Sequence, residues 1–541
     1  MQVLGFERLI MALLMLGLIA VMGFILWDTI RRRNSGRLAA SILLATLGLG
    51  ALGFVVIPAQ LERSTEESPP GLWPADQARE NIAHNADERG EEAVPYDVVI
   101  VGGGVSGTAL LYQLTRYTDV ARVALLEKYD RLAQVNSRSS NNSQTIHCGD
   151  IETNYSLEKA LRVKRAAAML VNYGLGLPAE ERDEILFKFP KMVLGVGARE
   201  CAFLRQRYET FREHYSGMRL LEKAQIAEVE PLVVAGREGE QDEELVALAV
   251  VDEYTAANYQ KLSDSFVRQA QKSGRAPAIH MGTKVAKIEK EENGLYRVRT
   301  NRGDFRTRSL VVSAGGHSLL FAQQMGHGLN FSCLPVAGSF YFVPEVLRGK
   351  VYTVQNDKLP FAAIHGDPDV SVPGKTRFGP TALLLPMLER YNNSTIGDFF
   401  QVLHLDSSVA AVLWDLMRVP DIRNYIFKNF MFEMPLIQRR LFLRDARKIV
   451  PGLQLEDITF AKGFGGIRPQ LIDREKKKLL LGEARIAPGN GLIFNMTPSP
   501  GGTSCLRNAE KDMRELVTWL GASFDQEAFH KDFYQERQQS L

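Results

Sequence analysis

Cysteine is scarce in this chain, which has four among 541 residues. Cys148, Cys201, Cys333 and Cys505 lie far apart, without a C-x-x-C pair or a C-x-x-C-H haem-attachment motif. An isolated cysteine usually behaves as a small buried hydrophobe, although some act as redox or metal-binding residues. We therefore predict four thiols, no metal site and no second redox centre.

The chain also lacks a large net charge. Its 65 Lys and Arg residues nearly balance its 63 Asp and Glu residues, which leaves a net charge of +2. A chain without a one-signed field gives no reason to expect a polyanion as partner, so we predict no binding of nucleic acid. The 45% hydrophobic and 24% charged residues are typical of a folded globular protein, and the length allows two domains.

Charged residues are absent from two long apolar runs near the amino terminus, residues 9–27 and 38–57. Each run matches the roughly 20 residues that a helix needs to cross a hydrocarbon core. The link between them, residues 28–37, carries four arginines, which suits a turn among lipid headgroups. We predict a two-helix transmembrane hairpin over residues 1–60, in contact with the lipid bilayer, and a flexible linker over residues 61–93. A pair of buried core helices is the alternative.

The arginine-rich link also bears on orientation. The positive-inside rule places it in the cytoplasm, and therefore places the residues after the second run on the periplasmic side. The second run with its preceding arginines also resembles a signal peptide, followed by Pro58 and Ala59. In that case translation from a later start would give a cleaved, soluble protein.

A nucleotide-binding turn follows the linker. From residue 94 the sequence reads V-P-Y-D-V-V-I-V, continues through Gly102, Gly104 and Gly107 in G-x-G-x-x-G spacing, and goes on as T-A-L-L-Y-Q-L. This order predicts a strand, a tight turn and a helix whose amino end holds a pyrophosphate. Glu127, twenty residues after Gly107 and at the end of a second apolar run, is placed to bond the adenosine ribose hydroxyls.

Three later runs favour FAD over NAD. The segments A-I-H-M-G-T-K-V-A-K-I-E-K, L-Y-R-V-R-T and L-V-V-S-A-G-G predict two half-buried strands and one buried strand that ends at Gly315 and Gly316. Their order resembles the return section of glutathione-reductase-type FAD domains. The resemblance implies that the backbone near Val285 touches the adenine side and that the two glycines approach the cofactor.

Several longer motifs are similar to those of malate:quinone oxidoreductases. They include S-R-S-S-N-N-S-Q-T-I-H-C-G-D-I-E-T-N-Y from residue 137, T-R-F-G-P-T-A from residue 376, G-F-G-G-I-R-P-Q from residue 463 and F-N-M-T-P-S-P-G-G-T-S-C from residue 494. The resemblance spans nearly all of residues 96–524. It implies FAD-dependent oxidation of (S)-malate to oxaloacetate, with electrons passed to membrane quinone as an input to the citric acid cycle and the respiratory chain.

The same resemblance sets the expected architecture and location. We expect an α/β plus α+β fold, with a glutathione-reductase-type Rossmann FAD-binding domain, an antiparallel-sheet substrate domain and the transmembrane hairpin in front. The FAD domain takes residues 94–185, 255–333 and 460–524, the substrate domain takes 186–254 and 334–459, and 525–541 form a tail. We expect attachment to the inner (cytoplasmic) membrane of a bacterium. A citric-acid-cycle role would keep the catalytic domain in the cytoplasm, against the orientation that the arginine-rich link indicates.

Malate oxidation needs a base for the C2 hydroxyl, a hydride acceptor and cations for two carboxylates. The family resemblance makes His365 the predicted base, because an imidazole titrates near neutrality, with Asp367 or Asp369 orienting it. A hydrogen-bonded loop histidine is the alternative.

Cations and cofactor contacts complete the predicted site. Arg377 and Arg468 are the predicted carboxylate clamps, since a guanidinium binds a carboxylate in a bidentate way, and Lys462 is a weaker third cation. His147 is expected to approach the flavin or the substrate, although a purely structural role is equally compatible with the sequence. Further cofactor contacts are expected in the loop before it and at a helix start suited to flavin O2, namely Ser143, Gln144, Gly501, Gly502 and Thr503.

The nearest rival is another FAD-dependent 2-hydroxy-acid dehydrogenase. A more distant similarity to L-2-hydroxyglutarate dehydrogenases and D-amino-acid oxidase relatives covers residues 365–382 and the closing glycine-rich turn. One methylene separates 2-hydroxyglutarate from malate, and a pocket discriminates modestly against one methylene. Two further classes compete with this function, a non-catalytic membrane flavoprotein and an NAD-linked dehydrogenase.

Overall fold

The computed structural model describes residues 94–237, 243–355, 364–435, 437–480 and 482–535, so the predicted hairpin and linker lie outside the described residues. The helices in these ranges are α1 (Val105–Tyr117), α2 (Leu157–Leu175), α3 (Ala179–Ile185), α4 (Ala198–Phe211), α5 (Lys223–Val229), α6 (Pro231–Val234), α7 (Tyr259–Gln271), α8 (His317–Gln324), α9 (Ile396–Leu403), α10 (Ser407–Arg418), α11 (Pro420–Met431), α12 (Gln438–Ala446), α13 (Cys505–Leu520) and α14 (Gln526–Phe533).

The strands in the same ranges are β1 (Tyr96–Val101), β2 (Val123–Leu126), β3 (Leu186–Lys188), β4 (Lys191–Val196), β5 (Arg219–Glu222), β6 (Leu245–Val250), β7 (Tyr254–Ala257), β8 (Ala278–His280), β9 (Val285–Lys290), β10 (Tyr296–Thr300), β11 (Gly303–Val312), β12 (Phe331–Ala337), β13 (Tyr341–Pro344), β14 (Lys350–Thr353), β15 (His365–Pro368), β16 (Lys375–Gly379), β17 (Leu383–Leu384), β18 (Thr459–Phe460), β19 (Ile467–Asp473), β20 (Lys478–Leu480), β21 (Ala484–Gly489) and β22 (Leu492–Met496).

Five parallel strands, in the order β22, β11, β1, β2 and β8, form the centre of the first sheet. Strand β21 closes one edge in antiparallel direction, and β9 and β10 extend β11 as an antiparallel ribbon. Side chains of β1 alternate between the faces, with Val98 and Ile100 in one hydrophobic core and Val99 and Val101 in the other. Because both faces are covered there, β1 is apolar and buried from Val98 to Val101.

Helix α1 packs on one face of this sheet, against α7 and α13, and nearly all its side chains are buried. It approaches the end of β1 closely because Gly107 has no Cβ. A Cβ there would lie 2.0 Å from the carbonyl oxygen of Gly102. Gly102 has a φ of 112°, which favours glycine. The predicted strand, turn and helix are therefore present, and two glycines set their spacing.

One predicted strand is wrong in its extent. The run A-I-H-M-G-T-K-V-A-K-I-E-K forms two strands, β8 and β9. Between them Gly282 has a φ of 64°, and the N–H of Thr283 donates to the carbonyl oxygen of Glu127 at 2.7 Å. This turn leaves β8 in the parallel sheet beside β2 and sends β9 to the ribbon with β10.

The second sheet has the order β18, β13, β16, β15, β14, β4, β6 and β5. Every pair in it is antiparallel except β14 with β4, so the structure departs from the predicted antiparallel sheet in that one pair. Side chains from α4 pack into the core on one face, and side chains from α12 pack into the core on the other.

A third sheet, in the order β17, β12, β19 and β20, draws its strands from both predicted domains. Strands β12 and β19 pair over seven positions, from Phe331 with Asp473 to Ala337 with Ile467. Helices α9 and α10 contribute to the hydrophobic core on this sheet. Across the described ranges, length and composition mark no single helix as able to cross a membrane; only Asn393–Leu403 taken with Ser407–Arg418 passes, as a pair bent by 107°.

The contact between α1 and β1 predicts the effect of Gly107→Ala. The new Cβ would overlap a backbone carbonyl, so helix and strand must separate, and such overpacking costs about 1–3 kcal/mol. We expect a lower melting temperature for the purified protein. Gly452→Ala is the matched control, because a Cβ at Gly452 meets nothing within 4 Å. Equal melting temperatures for Gly107→Ala and the unsubstituted protein would contradict the packing described.

Candidate active site

A cavity of about 750 Å³ lies at the carboxyl ends of the parallel strands β1, β2 and β11. Gly102 follows β1, Glu127 follows β2, and Gly315 comes shortly after β11, and all three line the cavity. In an open parallel sheet this edge is where ligands bind, because the loops diverge there and helix amino ends point toward it.

The wall next to β1 offers groups for a nucleotide. Gly104 precedes α1 and has no side chain to cap the helix, and the hydroxyl of Ser137 accepts the N–H of Val105, the first residue of α1, at 3.0 Å. A Cβ at Gly104 would meet only the hydroxyl of Ser137, at 3.2 Å, so a phosphate can approach the backbone closely. Glu127 accepts hydrogen bonds from the N–H groups of Gly103 at 2.7 Å and Tyr129 at 2.9 Å, while burial raises its pKa.

A second helix end faces the cavity at the start of α13. A Cβ at Gly501 would lie 2.2 Å from a backbone carbonyl oxygen, and one at Gly502 would lie 2.8 Å from the ring of Tyr259, so the turn requires both glycines. The hydroxyl of Thr503 accepts the N–H of His147 at 3.0 Å. The residue before α13 makes no side-chain cap bond, so the helix amino end is open to negative charge.

Most of the predicted site residues line this one cavity: Gly102, Gly104, Glu127, Ser143, His147, Val285, Gly315, Gly316, Arg468, Gly501, Gly502 and Thr503. Gly107 instead forms the packing contact of α1. Gln144 is fully buried, and its amide donates to Asp369 at 3.3 Å and accepts the N–H of Val370 at 3.0 Å. Gln144 therefore ties the loop before His147 to the turn between β15 and β16.

Arg468, on β19, is a cation of the cavity wall. No carboxylate pairs with it in the part of the chain that the structure describes. Its electrostatic neighbours are the phenols of Tyr155, Tyr352 and Tyr425, and burial lowers its pKa. A guanidinium keeps its charge even so. A largely buried cation without an internal counter-ion favours an anionic ligand, and a carboxylate matches its geometry.

His147 is held by Glu152, whose Oε1 lies 2.9 Å from the ring Nδ1. Burial alone would raise the pKa of Glu152, but Lys191 and His147 hold it below its ordinary value. When Nδ1–H donates to this carboxylate, Nε2 carries the lone pair. A ring oriented in this way on the cavity wall can accept a proton from a bound hydroxyl.

Potential metal donors lie close to His147 in sequence, where single oxygen or sulfur atoms of Cys148, Asp150 and Glu253 come within 4.8 Å of one another. Lys191 Nζ donates to Asp150 at 2.8 Å, and both side chains are buried. Burial raises the pKa of Cys148 to about 12. Because Lys191 already supplies positive charge and the thiol stays protonated, these donors do not indicate a metal centre. All four cysteines are buried and free.

The predicted base and one predicted clamp lie off the cavity wall. His365 on β15 is 2% exposed, Arg377 on β16 is 0% exposed, and neither lines the cavity. Asp367 lies between them: its Oδ2 accepts from Arg377 at 3.0 Å and from Lys350 at 3.1 Å, and its Oδ1 is 3.3 Å from His365 Nε2. Arg377 also pairs with Asp369 at 3.1 Å. Two aspartates therefore neutralise this guanidinium from within the protein.

Neighbouring positive charges keep the buried carboxylate of Asp367 ionised. Burial would raise the pKa of Asp367, but Lys350 and Arg377 hold it below its ordinary value. Burial lowers the pKa of Lys350, and Asp367 opposes that shift. The His365 ring stacks on Tyr352, with centroids 4.3 Å apart. These contacts support a structural role for Arg377, and the catalytic role of His365 stays a prediction.

Lys462 is exposed after β18 and does not line the cavity. The next residue, Gly463, has a φ of 81° and redirects the chain toward β19. The prediction that Lys462 contacts a substrate carboxylate therefore has no support from its position.

The sequence did not predict a set of polar side chains that line the cavity wall beside Glu127. Glu389 pairs with Lys128 and accepts the Tyr129 hydroxyl at 2.6 Å. His317 Nε2 lies 3.1 Å from Asp398. The sequence points to Lys128 and Tyr129 only because they directly follow Glu127. Glu389 and Asp398 come from a distant segment that carries no motif.

Known proteins give the family context. The profile of a family described as FAD dependent oxidoreductase matches residues 97–505, and that of a family of unknown function matches residues 14–57. A probable malate:quinone oxidoreductase from Campylobacter jejuni is 47% identical over 443 residues, covering 81% of this chain and 98% of that protein. A malate:quinone oxidoreductase from Helicobacter pylori is 46% identical over 447 residues, covering 82% and 99%.

Among solved structures, the FAD-bound L-alpha-glycerophosphate oxidase from Mycoplasma pneumoniae is similar, with a TM-score of 0.53 and 21% identity over 80% of this chain and 96% of that one. That likeness shows the fold. The amino ends of α1 and α13 and the carboxylate of Glu127 fit a dinucleotide cofactor with a negatively charged centre and a ribose.

The buried charge cluster predicts the effect of Asp367→Asn. Lys350 and Arg377 would lose their shared counter-ion, and breaking a buried pair costs about 3–5 kcal/mol. Because the folded pKa of Asp367 is lowered, its contribution is present above the ordinary carboxyl pKa of about 4 and is lost as the pH falls through the folded value. We expect a large loss of unfolding free energy at neutral pH and a smaller difference in acid, measured by urea denaturation.

Asp252→Asn is the matched control for this substitution. Asp252 pairs with Lys188 at 3.3 Å, but its side chain is 85% exposed, so its removal should change the unfolding free energy by less than about 1 kcal/mol. Equal losses for the two variants would show that the buried cluster is no more important than a surface pair.

Proposed function

Because the chain belongs to the malate:quinone oxidoreductase family of FAD-dependent oxidoreductases, we propose that it oxidises (S)-malate to oxaloacetate and passes the electrons to membrane quinone. The cofactor is FAD. Family membership supports the substrate, and one observation carries the chemistry: Arg468, a cation without a counter-ion among the described residues, and His147, an oriented imidazole, line the same cavity.

Arg468 is the proposed carboxylate clamp. Its guanidinium has no carboxylate partner among the described residues, so a malate carboxylate can take that place with two parallel hydrogen bonds. Its strand is fixed by pairing with β12, which limits the positions the substrate can take. Arg377 is not proposed as the second clamp, because Asp367 and Asp369 already pair with it.

His147 is the proposed base. Bound FAD supplies the acceptor for the hydride from malate C2, and its reoxidation delivers two electrons to quinone. The proton of the C2 hydroxyl goes to His147 Nε2, while Glu152 holds Nδ1–H and stabilises the charged ring. Loss of the hydride and the proton leaves the keto group of oxaloacetate.

His365 is the second candidate for the base. Asp367 lies 3.3 Å from its Nε2, which would stabilise a protonated ring. The side chain is 2% exposed and off the cavity wall, so His147 has the better access to substrate.

The lipid bilayer is part of the proposal, since quinones dissolve in it and two uncharged runs of transmembrane length precede the catalytic region. We place the protein on the inner membrane of a bacterium. The citric-acid-cycle role favours the cytoplasmic face, and the arginine-rich link favours the periplasmic face. A reporter fused after Leu541 would distinguish the two.

Substrate identity is tested by the flavin spectrum. Under anaerobic conditions we expect (S)-malate to bleach the absorption of the bound flavin, and added quinone to restore it. L-2-hydroxyglutarate should bleach it at least about tenfold more slowly, the effect of one methylene in a fitted pocket. If malate left the flavin oxidised while 2-hydroxyglutarate reduced it, the substrate assignment would be wrong.

The rate of that bleaching tests which of the two histidines is the base. We expect His147→Ala to lower the rate of flavin reduction by malate about 10²–10⁴-fold, the usual contribution of a general base. His365→Ala should retain a rate close to that of the unsubstituted protein once flavin content is matched. The reverse result would reassign the base to His365.

Arg468→Lys tests the clamp. Lysine keeps the charge but loses the bidentate geometry, so we expect kcat/KM for malate to fall about 10- to 100-fold, chiefly through KM. Lys462→Ala is the control and should leave both constants unchanged, because Lys462 is exposed and off the cavity wall. If Lys462→Ala raised KM for malate as much as Arg468→Lys does, Lys462 would also bind a substrate carboxylate.

A further inference from the structure

Exposed apolar side chains are concentrated on three consecutive helices. In the described ranges eleven large hydrophobic residues are exposed, and five of them, Phe400, Leu405, Trp414, Val419 and Phe427, lie on α9, α10, α11 and the turns between them. We call the exposed surface of these three helices the α9–α11 face. Single exposed apolar residues are normal, but a cluster marks an interaction surface.

The same helices already bury another apolar side. Phe399 and Val402 of α9 and Val409 of α10 pack into the core on the third sheet. The same helices therefore also carry apolar side chains that internal packing leaves exposed. Helices that are apolar on two sides need a second apolar environment.

Leu405 has the largest exposed fraction of these five residues. The two helical segments meet at 107°, and Leu405, in the turn between them, is 66% exposed. His404 has a φ of 43°, and Asp406 accepts the N–H groups of Ser408 and Val409, each at 2.9 Å, at the start of α10. The turn is thus fixed by its own hydrogen bonds and presents Leu405 outward.

A basic turn lies next to Asp406, the residue that follows Leu405. Residues 474–478 read R-E-K-K-K at the turn from β19 into β20, which begins at Lys478. The side chain of Lys476 is 73% exposed, and its Nζ lies 3.3 Å from Asp473 Oδ2. Arg474 pairs with Asp406 and also donates to the carbonyl oxygen of Leu329 at 2.7 Å. Leu329 is itself 51% exposed. Positive charge next to protruding apolar side chains is the composition that binds an anionic lipid surface.

The α9–α11 face is connected to the cavity. Asp398 and Gln401 of α9 line the cavity wall. Tyr425 of α11 packs against Val336 and Ala382 and is an electrostatic neighbour of Arg468. A partner bound to the α9–α11 face would therefore lie next to the helices that contribute to the cavity wall.

We propose that the α9–α11 face and the basic turn dock the catalytic region onto an anionic lipid bilayer, with Leu405 and Trp414 entering the headgroup region. The charge of the basic turn selects lipid over a second copy of the chain or an apolar segment of the same chain. The consequence for quinone access rests on the proposed function, because it requires an acceptor that is dissolved in the membrane.

Site-specific labelling of the full chain tests the docking. Because the four natural cysteines are buried, Leu405→Cys provides an accessible thiol for an environment-sensitive fluorophore. The control is Trp519→Cys, since Trp519 is 49% exposed and lies against Gly491, at the amino end of β22 and so opposite the cavity. The protein is placed in vesicles of equal parts phosphatidylglycerol and phosphatidylcholine that carry nitroxide-labelled lipid.

We expect the lipid nitroxide to quench the label at position 405 and to leave that at 519 unquenched. Lys476→Gln and Lys477→Gln should each lower the docking equilibrium about fivefold, seen as weaker quenching at 405. Equal quenching at both positions, or none at 405 because another protein segment covers it, would overturn the proposal.

Activity provides a second measurement. Leu405→Gln with Trp414→Gln should slow the reduction of vesicle-borne quinone at least about tenfold and leave the reduction of a water-soluble dye unchanged. Trp519→Gln should change neither. Equal slowing with both acceptors would contradict a membrane role for this face. Failure of malate to bleach the flavin would overturn the proposed function without affecting the quenching result.

Discussion

The carbonyl oxygen of Gly102 lies 2.0 Å from the position that a Cβ of residue 107 would occupy, and the arrangement of the site depends on this close approach. It brings the first turn of α1 to the end of β1, so that the amino end of α1 lies at the cavity. Glu127, one strand away, then stands beside the same turn through its bond to Gly103. A larger residue at position 107 would separate the helix from the strand and lose this alignment.

The parts of the fold that sequence could predict are those in which the signal is local. Turn, helix start and acidic residue lie within one short stretch, and their spacing is that of a dinucleotide-binding turn. The break between β8 and β9 was missed because the apolar pattern continues across it, and Gly282 alone marks the turn.

The roles of the two histidines and two arginines could not be read from local sequence. Arg377 and Arg468 both lie in glycine- and proline-bounded segments, and what separates them is tertiary: Arg377 meets Asp367 and Asp369, whereas Arg468 meets phenols. Likewise, burial of His365 and its stacking on Tyr352 follow from the pairing of β14 with β15, which no motif encodes.

Arg468 owes its place on the wall to the register between β12 and β19, which is unbroken over seven residue pairs. Successive residues of a strand face opposite sides of a sheet, so gaining or losing one residue in either strand would turn this arginine away from the cavity. Over evolutionary time, therefore, insertions and deletions are tolerable in the surface turns at the ends of this pair but not within it. Natural diversification of substrate choice in such a scaffold must proceed by exchanging side chains at fixed backbone positions.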